Sequence, residues 1–155
     1  MGTFLTPDQR EAFGIESEAL EQEIFSWNMA RIGVILGSNG RGGSGVFVQL
    51  SNKRIALLTA RHVALPAILS GELTLSHADR GQSFSPLAIT MDKRLDLAYL
   101  TLPDDITIGS YLSQNEWTPE GQPEISKGMT VVACGVPGLL KSLPDVSTRT
   151  IKRTT

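Results

Sequence analysis

The sequence pattern that most constrains the fold is a series of short apolar segments that begins after residue 30. Within these segments the period of the apolar residues is close to two, which is typical of β-strands that bury one face. Gly, Pro and polar residues separate the segments, as turns require. The pattern therefore predicts an antiparallel β-barrel or sandwich. The predicted strands cover residues 31–36, 45–50, 54–60, 72–76, 87–91, 97–102 and 130–135.

Residues 1–30 follow a helical pattern instead. Thr6, Pro7 and Gln9 have the spacing of a capping box with Pro at the first helical position, which predicts that a helix starts there. Gly14 is expected to interrupt this helix. A second helix is predicted over residues 16–29, and we interpret it as a helix that docks on the outside of the domain. Its apolar residues are Ala19, Leu20, Ile24 and Trp27, and its solvated residues are Glu16, Glu18, Glu21 and Glu23.

The composition narrows the classes of function. A length of 155 residues suits one domain with its own core, and 41% apolar with 19% charged residues is typical of a soluble globular protein. The net charge of −2 predicts no general affinity for nucleic acid or anionic membranes. No apolar run is long enough to cross a bilayer, and Met1–Asp8 has no basic region followed by an apolar one, so we expect no signal peptide.

Cysteine and histidine are both scarce. The single cysteine, Cys134, has no partner for an internal disulfide, which fits a reducing compartment. One Cys and two His make a structural zinc site an unfavourable hypothesis. We therefore expect a cytoplasmic protein.

Two polar residues stand out because each interrupts or ends an apolar run. His62 ends the run Ile55–Ala60 after one intervening arginine, and Asp96 stands between Leu95 and Leu97. An ionised carboxylate among apolar side chains is costly unless it is paired, and an imidazole N–H would pair with it. If Asp96 accepted the Nδ1 proton of His62, Nε2 would be left to take a proton, as nucleophilic hydrolysis requires.

Each residue also has a simpler interpretation. A single histidine at the end of a strand is commonly structural or exposed. Asp96 could close the turn Asp92-Lys93-Arg94. The two residues together, in this order and in these contexts, are more specific than either alone.

The surrounding motifs resemble those of trypsin-like peptidases of the chymotrypsin fold, and in particular the bacterial, disulfide-free HtrA group. Leu58-Thr59-Ala60-Arg61-His62 matches the family's L-T-A-x-H strand end, and Asp96-Leu97-Ala98-Tyr99-Leu100 matches its D-[LIV]-A-x-[LIV] motif. Residues 43–48 and 128–138 also look like segments of that family, so that the resemblance covers about 31–138. It implies a serine endopeptidase with His62 as general base and Asp96 as its orienting partner.

The resemblance also implies an architecture. The expected fold is all-β, with a helical extension over residues 1–30 and an antiparallel Greek-key barrel over 31–125 that carries His62 and Asp96. Residues 126–155 would begin an incomplete second barrel. A protein or peptide substrate is implied, and no metal or organic cofactor is.

The chain departs from the family at the nucleophile. The family carries its serine in a G-x-S-G-G loop of the second barrel, and no such segment follows Gly138; Ser142 and Ser147 lack flanking glycines. We therefore expect this chain alone to be inactive. Three hypotheses stay open: the N-terminal piece of a serine peptidase, half of an enzyme completed by a partner chain that supplies the second barrel, or a catalytically incomplete interaction module.

Ser44 is a rival nucleophile, because a hairpin around residues 51–53 would place it near Arg61 and hence near His62. Its neighbours Gly43 and Gly45 are instead what close backbone packing beneath that histidine needs, and we do not assign catalysis to Ser44.

The other unusual segments have structural interpretations. Residues 37–44 resemble a phosphate loop, but a strand is predicted where such a loop needs a helix, so we interpret them as a mobile turn near the cleft. Cys134 is predicted to be a core residue, His77 an exposed turn residue and residues 149–153 an exposed strand.

Overall fold

The computed structural model describes residues 6–77, 83–117, 130–135 and 147–153. It contains four helices and nine strands within these ranges. The helices are α1 (Pro7–Phe13), α2 (Glu18–Met29), α3 (Arg61–Leu69) and α4 (Gln114–Trp117). The strands are β1 (Ile32–Gly37), β2 (Gly42–Gln49), β3 (Ile55–Ala60), β4 (Leu73–His77), β5 (Ser83–Phe84), β6 (Ala88–Asp92), β7 (Leu97–Thr101), β8 (Thr130–Gly135) and β9 (Ser147–Arg153).

The mostly-β character expected from the sequence is confirmed. Seven strands form one antiparallel sheet in the order β5-β4-β1-β2-β3-β7-β6, and the sheet curls into a half-barrel. The last two strands, β8 and β9, form a separate antiparallel pair. Among the described helices, none has both the length and the apolar character needed to cross a membrane.

The core lies on the inner face of the curled sheet. Phe47, Leu57 and Leu100 are directly paired across β2, β3 and β7, so their side chains share one face. Ile35 and Leu75 are paired in the same way on β1 and β4. All five side chains are fully buried, and the period of two predicted for these strands is therefore the period of the core.

Helix α3 closes one end of this core. Ala64 and Ala67 are fully buried and belong to the same apolar cluster as the inner face of the sheet. Pro66 lies inside the helix, and the helix begins directly after β3 without a side-chain cap from Ala60. Pro66 predicts a turn of helix or irregular coil near residues 63–69, and the structure has a longer helix there, of nine residues.

The N-terminal helices are confirmed, but the face of α2 is not the one predicted. The capping box of Thr6 and Gln9 forms, with Pro7 in the first turn. The buried residues of α2 are Glu21, Phe25 and Met29. None of the predicted apolar residues Ala19, Leu20, Ile24 and Trp27 is among them. Glu21 was predicted to be solvated; it is buried because Arg10 of α1 donates to its Oε2 at 3.1 Å.

The environment of His77 also differs from the prediction. This histidine was predicted to lie exposed in a turn, but β4 extends through it and its side chain is only 7% exposed. Its ring stacks on Phe47 with 5.1 Å between centroids. The reason is the period of two, because His77 lies two residues after Leu75 and therefore faces the same core.

Some predictions fall on residues outside the described ranges. The boundary between the two barrels at 125/126 lies there, and so does Ser142. The strands predicted at 130–135 and 149–153 are found as β8 and β9. The side-chain environments of Cys134, Ser147 and the predicted exposed strand are not among those that the structure describes, so those predictions stay predictions.

Candidate functional site

The sheet register brings the two residues singled out by sequence to one place. Strands β3 and β7 are antiparallel neighbours, and Ala60 at the end of β3 is paired with Leu97 at the start of β7. The residues just beyond this pair, His62 on one side and Asp96 on the other, must therefore meet although they are 34 residues apart in sequence. Strand pairing, and not local sequence, makes this contact.

Three hydrogen bonds join Asp96 to the first turn of α3. Its backbone oxygen accepts from the N–H of Arg61 at 3.0 Å. Its carboxylate accepts the backbone N–H of His62 at Oδ1, 2.9 Å away, and its Oδ2 lies 2.5 Å from the ring Nδ1 of the same histidine. The aspartate therefore provides the cap that Ala60 does not provide.

This geometry determines the tautomer of His62. An ionised carboxylate can only accept hydrogen bonds, so Nδ1 must donate its proton to Oδ2. In the neutral imidazole the other ring nitrogen, Nε2, is then an acceptor with a lone pair. The ring is held so that Nε2 can take a proton from a group brought to it.

Asp96 has an unusual backbone conformation that makes this arrangement reachable. Its φ is 53°, in the left-handed region, which Asp tolerates better than most residues that have a Cβ. Asp96 is also the last residue of the turn between β6 and β7, so its simpler interpretation as a turn residue is compatible with its contact to His62. Asp92 begins the same turn, and its Oδ1 accepts the N–H of Leu95 at 3.0 Å.

The electrostatics favour the ionised carboxylate. The hydrogen bond from the His62 ring lowers the pKa of Asp96 below its usual value, and the hydrogen bond from the His62 backbone lowers it further. The positive charge of nearby Arg61 acts in the same direction but less strongly, and partial desolvation opposes these effects. Asp96 is therefore ionised at neutral pH, as an orienting carboxylate must be.

The environment of the pair differs from the one expected. The sequence suggested a carboxylate enclosed by apolar side chains, whereas the side chain of Asp96 is 50% exposed and that of His62 74% exposed. The flanking leucines, Leu95 and Leu97, are also exposed. They do not enclose Asp96, because the edge strand β6 beside β7 has exposed residues along its whole length. The pair is open to solvent in the described part of the chain.

Of the two glycines beside Ser44, Gly43 packs against the residue after His62, whereas Gly45 packs against β3. The backbone oxygen of Ser44 accepts from Oγ1 of the buried Thr59 at 3.0 Å, which ties β2 to the end of β3. A Cβ at Gly43 would lie 2.6 Å from Cγ1 of Val63, the residue after His62. Gly45 is equally crowded, since a Cβ there would lie 2.4 Å from the backbone oxygen of Leu58.

The glycine-rich turn over residues 38–41 is not near the pair. Ser38 is hydrogen-bonded to Ser70 at the C-terminal end of α3 through both its backbone N–H and its hydroxyl. His62 lies at the other end of that helix, about 12 Å away at 1.5 Å per residue. Asn39 of the same turn reaches the backbone oxygen of Pro66, nearer to His62, so the turn packs along the second half of α3; its mobility and its relation to a cleft stay predictions. Strand β2 follows the turn, as predicted in place of the helix that a phosphate loop requires.

A groove of about 750 Å³ lies on the outer face of the same strands. Leu58, Tyr99 and Thr90 are paired across β3, β7 and β6 and line it, and Trp117 of α4 borders it. The indole of Trp117 is held by a hydrogen bond to the backbone oxygen of Gln49 at 2.8 Å. No signal in the sequence pointed to this groove, because it depends on where α4 lies against β2.

Metal binding has no support among the described residues, where no three His, Cys, Asp or Glu side chains come together. Comparisons with known proteins do not assign the chain to a family. The chain matches no family model, no curated protein and no solved structure.

Proposed function

We propose that the chain is the His- and Asp-bearing part of a trypsin-like serine endopeptidase, with His62 as general base and Asp96 as its orienting partner. The observation that carries the proposal is that one carboxylate accepts both the ring Nδ1–H and the backbone N–H of His62. This double contact fixes the tautomer and the direction of the ring together, which a chance surface ion pair does not need.

The proposed reaction is acyl transfer in two halves. Nε2 of His62 takes the proton of a serine hydroxyl while its oxygen attacks the carbonyl carbon of a peptide bond. The imidazolium, stabilised by ionised Asp96, then gives that proton to the leaving amine. In the second half, a water molecule loses a proton to His62 while its oxygen attacks the acyl carbon. His62 then gives that proton to the serine oxygen as the acyl–serine bond breaks, which releases the acid and regenerates the serine.

The strand order supports a Greek-key barrel. The spatial order β4-β1-β2-β3 is that of a Greek key, in which the fourth strand returns beside the first. In the proposed enzyme this half-barrel is the first of two, and β8 and β9 belong to the second. The single cysteine, Cys134, is consistent with a cytoplasmic location.

The serine nucleophile and its oxyanion donors are proposed to come from outside these 155 residues, either from a longer form of the chain or from a partner chain. Catalysis needs them together with the base. A second candidate function is a catalytically incomplete interaction module. The observation that favours it is the exposed apolar edge of the sheet, where Leu87, Ile89 and Met91 are all exposed.

Fluorophosphonate labelling tests the proposal, because the probe reacts with an activated serine. The chain should be produced together with the coding sequence that follows Thr155, or with a neighbouring gene product that carries G-[DN]-S-G-G. We expect labelling that Asp96→Asn strongly reduces and that the matched variant Asp105→Asn, at an exposed aspartate, leaves unchanged.

Three results would contradict the proposal or part of it. Equal labelling of both variants would show that Asp96 does not serve the base, and the absence of any labelling would favour the interaction module. Labelling of the 155-residue chain alone would show that the nucleophile lies within it, contrary to the expectation from the missing motif.

A further inference from the structure

The helix that carries His62 rests on two glycines of the β1–β2 hairpin. A Cβ at Gly43 would lie 2.6 Å from Cγ1 of Val63, and a Cβ at Gly37 would lie 2.7 Å from Cα of Ala67. Val63 and Ala67 are four residues apart and therefore share one face of α3. This face lies so close to the hairpin that neither glycine has room for a methyl group.

Both glycines belong to the inner face of the sheet. Gly43 is paired with Ile35, and Gly37 lies two residues after Ile35 on the same strand. Side chains two residues apart on a strand point to the same face. The two positions therefore form a platform on which α3 lies, with Gly43 under its first turn and Gly37 near its end.

We propose that Gly43 is a positioning residue for His62, because it sets the distance between the first turn of α3 and the sheet that carries Asp96. A role of Gly43 in catalysis rests on the proposed function, whereas its effect on the position of the His62 ring does not. Gly37 acts on the far end of the helix, where Ser70 and the 38–41 turn are attached.

The distances show why the position is sensitive. An ordinary van der Waals contact begins near 3.4 Å, so an alanine at position 43 requires a movement of about 0.8 Å from Val63. If α3 moved by that amount along the Nδ1···Oδ2 direction, the 2.5 Å contact would lengthen to about 3.3 Å. Hydrogen bonds of this type extend to about 3.2 Å between nitrogen and oxygen, so the ring would lose its orienting partner.

The test is ¹⁵N NMR of the two ring nitrogens of His62 in the full chain, at a pH where the imidazole is neutral. Wild type is expected to carry its proton on Nδ1. Gly43→Ala is expected to shift the ring toward the tautomer mixture of a solvent-exposed imidazole. It should also raise the pKa of Asp96 toward its usual value, since the hydrogen bonds that lower it are lost.

Two controls separate positioning from general destabilisation. Gly109→Ala makes the same change where nothing lies within 4 Å, and Gly40→Ala strains a φ of 78° where nothing lies within 4 Å. Neither is expected to alter the ring nitrogens. Gly43→Ala/Val63→Ala removes the atom that the new methyl group meets and is expected to restore the Nδ1 proton.

The proposal is overturned if Gly43→Ala keeps the wild-type ring nitrogens and the lowered pKa of Asp96. It is also overturned if Gly40→Ala changes them as much as Gly43→Ala does. If Gly43→Ala does not fold, Val63→Ile crowds the same contact from the helix side, and an unchanged ring in that variant has the same consequence.

The readouts concern a resting imidazole and not turnover. A chain that never labels with fluorophosphonate but responds to Gly43→Ala would therefore refute the peptidase proposal and leave the positioning role of Gly43 in place.

Discussion

The side chain of Leu57 offers the strongest test of the core, since it occupies the centre of the half-barrel. It is fully buried on β3, between Phe47 on β2 and Leu100 on β7. Its Cδ1 also fills the space above Gly33, where a Cβ would lie only 2.6 Å away. Leu57→Ala should lower the free energy of unfolding by roughly 3 kcal/mol or more, within the 2–5 kcal/mol seen for such changes, because hydrogen-bonded strands on both sides limit collapse of the cavity.

A second substitution makes this prediction sharper. Gly33→Ala alone should cost about 1–3 kcal/mol, because its methyl group meets Leu57 and also Cζ of Phe47 at 2.8 Å. In the Leu57→Ala background the same methyl group partly refills the cavity. The double variant should therefore lose less than the sum of the two single losses, by about 0.5–3 kcal/mol.

Urea unfolding, followed by the fluorescence of Trp27 and Trp117, measures these free energies. Leu69→Ala is the matched control, since that leucine is 76% exposed and its loss should change stability by no more than about 0.5 kcal/mol. A cost for Leu57→Ala close to that of Leu69→Ala would refute the placement of the core. Additive costs for Gly33→Ala and Leu57→Ala would refute their contact.

Two further predictions concern the site and the sheet edge. Because hydrogen bonds lower the pKa of Asp96 in the folded chain, its ionised form stabilises the fold above its unfolded pKa, and this contribution disappears as the pH falls through the folded pKa. Asp96→Asn should remove that part of the acid sensitivity of unfolding, whereas Asp105→Asn should not; an unchanged pH profile in Asp96→Asn contradicts the lowered pKa. Strand β6 ends the described sheet, and Ile89 and Met91 are exposed on it, so the chain should self-associate. Ile89→Lys should raise the monomer fraction in sedimentation velocity more than Leu69→Lys does, and equal effects would mean that the edge is not the site of association.

The meeting of His62 and Asp96 could be predicted because each lies at a strand end that the apolar pattern marks. The apolar pattern marks these strand ends, but it does not show that β3 pairs with β7; the expectation that His62 and Asp96 meet rested on the order of two motifs that resemble those of a known family. Close packing at Gly43 was expected beneath His62, but the sequence predicts no more than a turn of helix there, so the face of α3 that crowds this glycine could not be predicted.

The failures arose where a distant element determines the environment. Glu21 reads as a solvated helix residue because Arg10, its partner, belongs to another helix. His77 reads as a turn residue because the extra residue of β4 is set by pairing with β1, where His77 lies opposite Gly33. The exposure of Asp96 is also determined by a neighbouring element. Strand β6 is exposed along its whole length, so the leucines beside Asp96 in sequence do not enclose it.

The central claim is that Asp96 holds His62 with its proton on Nδ1, and the ring ¹⁵N shifts of His62 test it most directly. In Asp96→Asn the backbone N–H of His62 can only donate, so it keeps the amide oxygen on its side and turns the amide NH₂ toward the ring. Nδ1 must then accept, and the proton moves to Nε2. We expect Nδ1–H in wild type and Nε2–H in Asp96→Asn. A wild-type ring protonated on Nε2, or the same tautomer in both proteins, would contradict it.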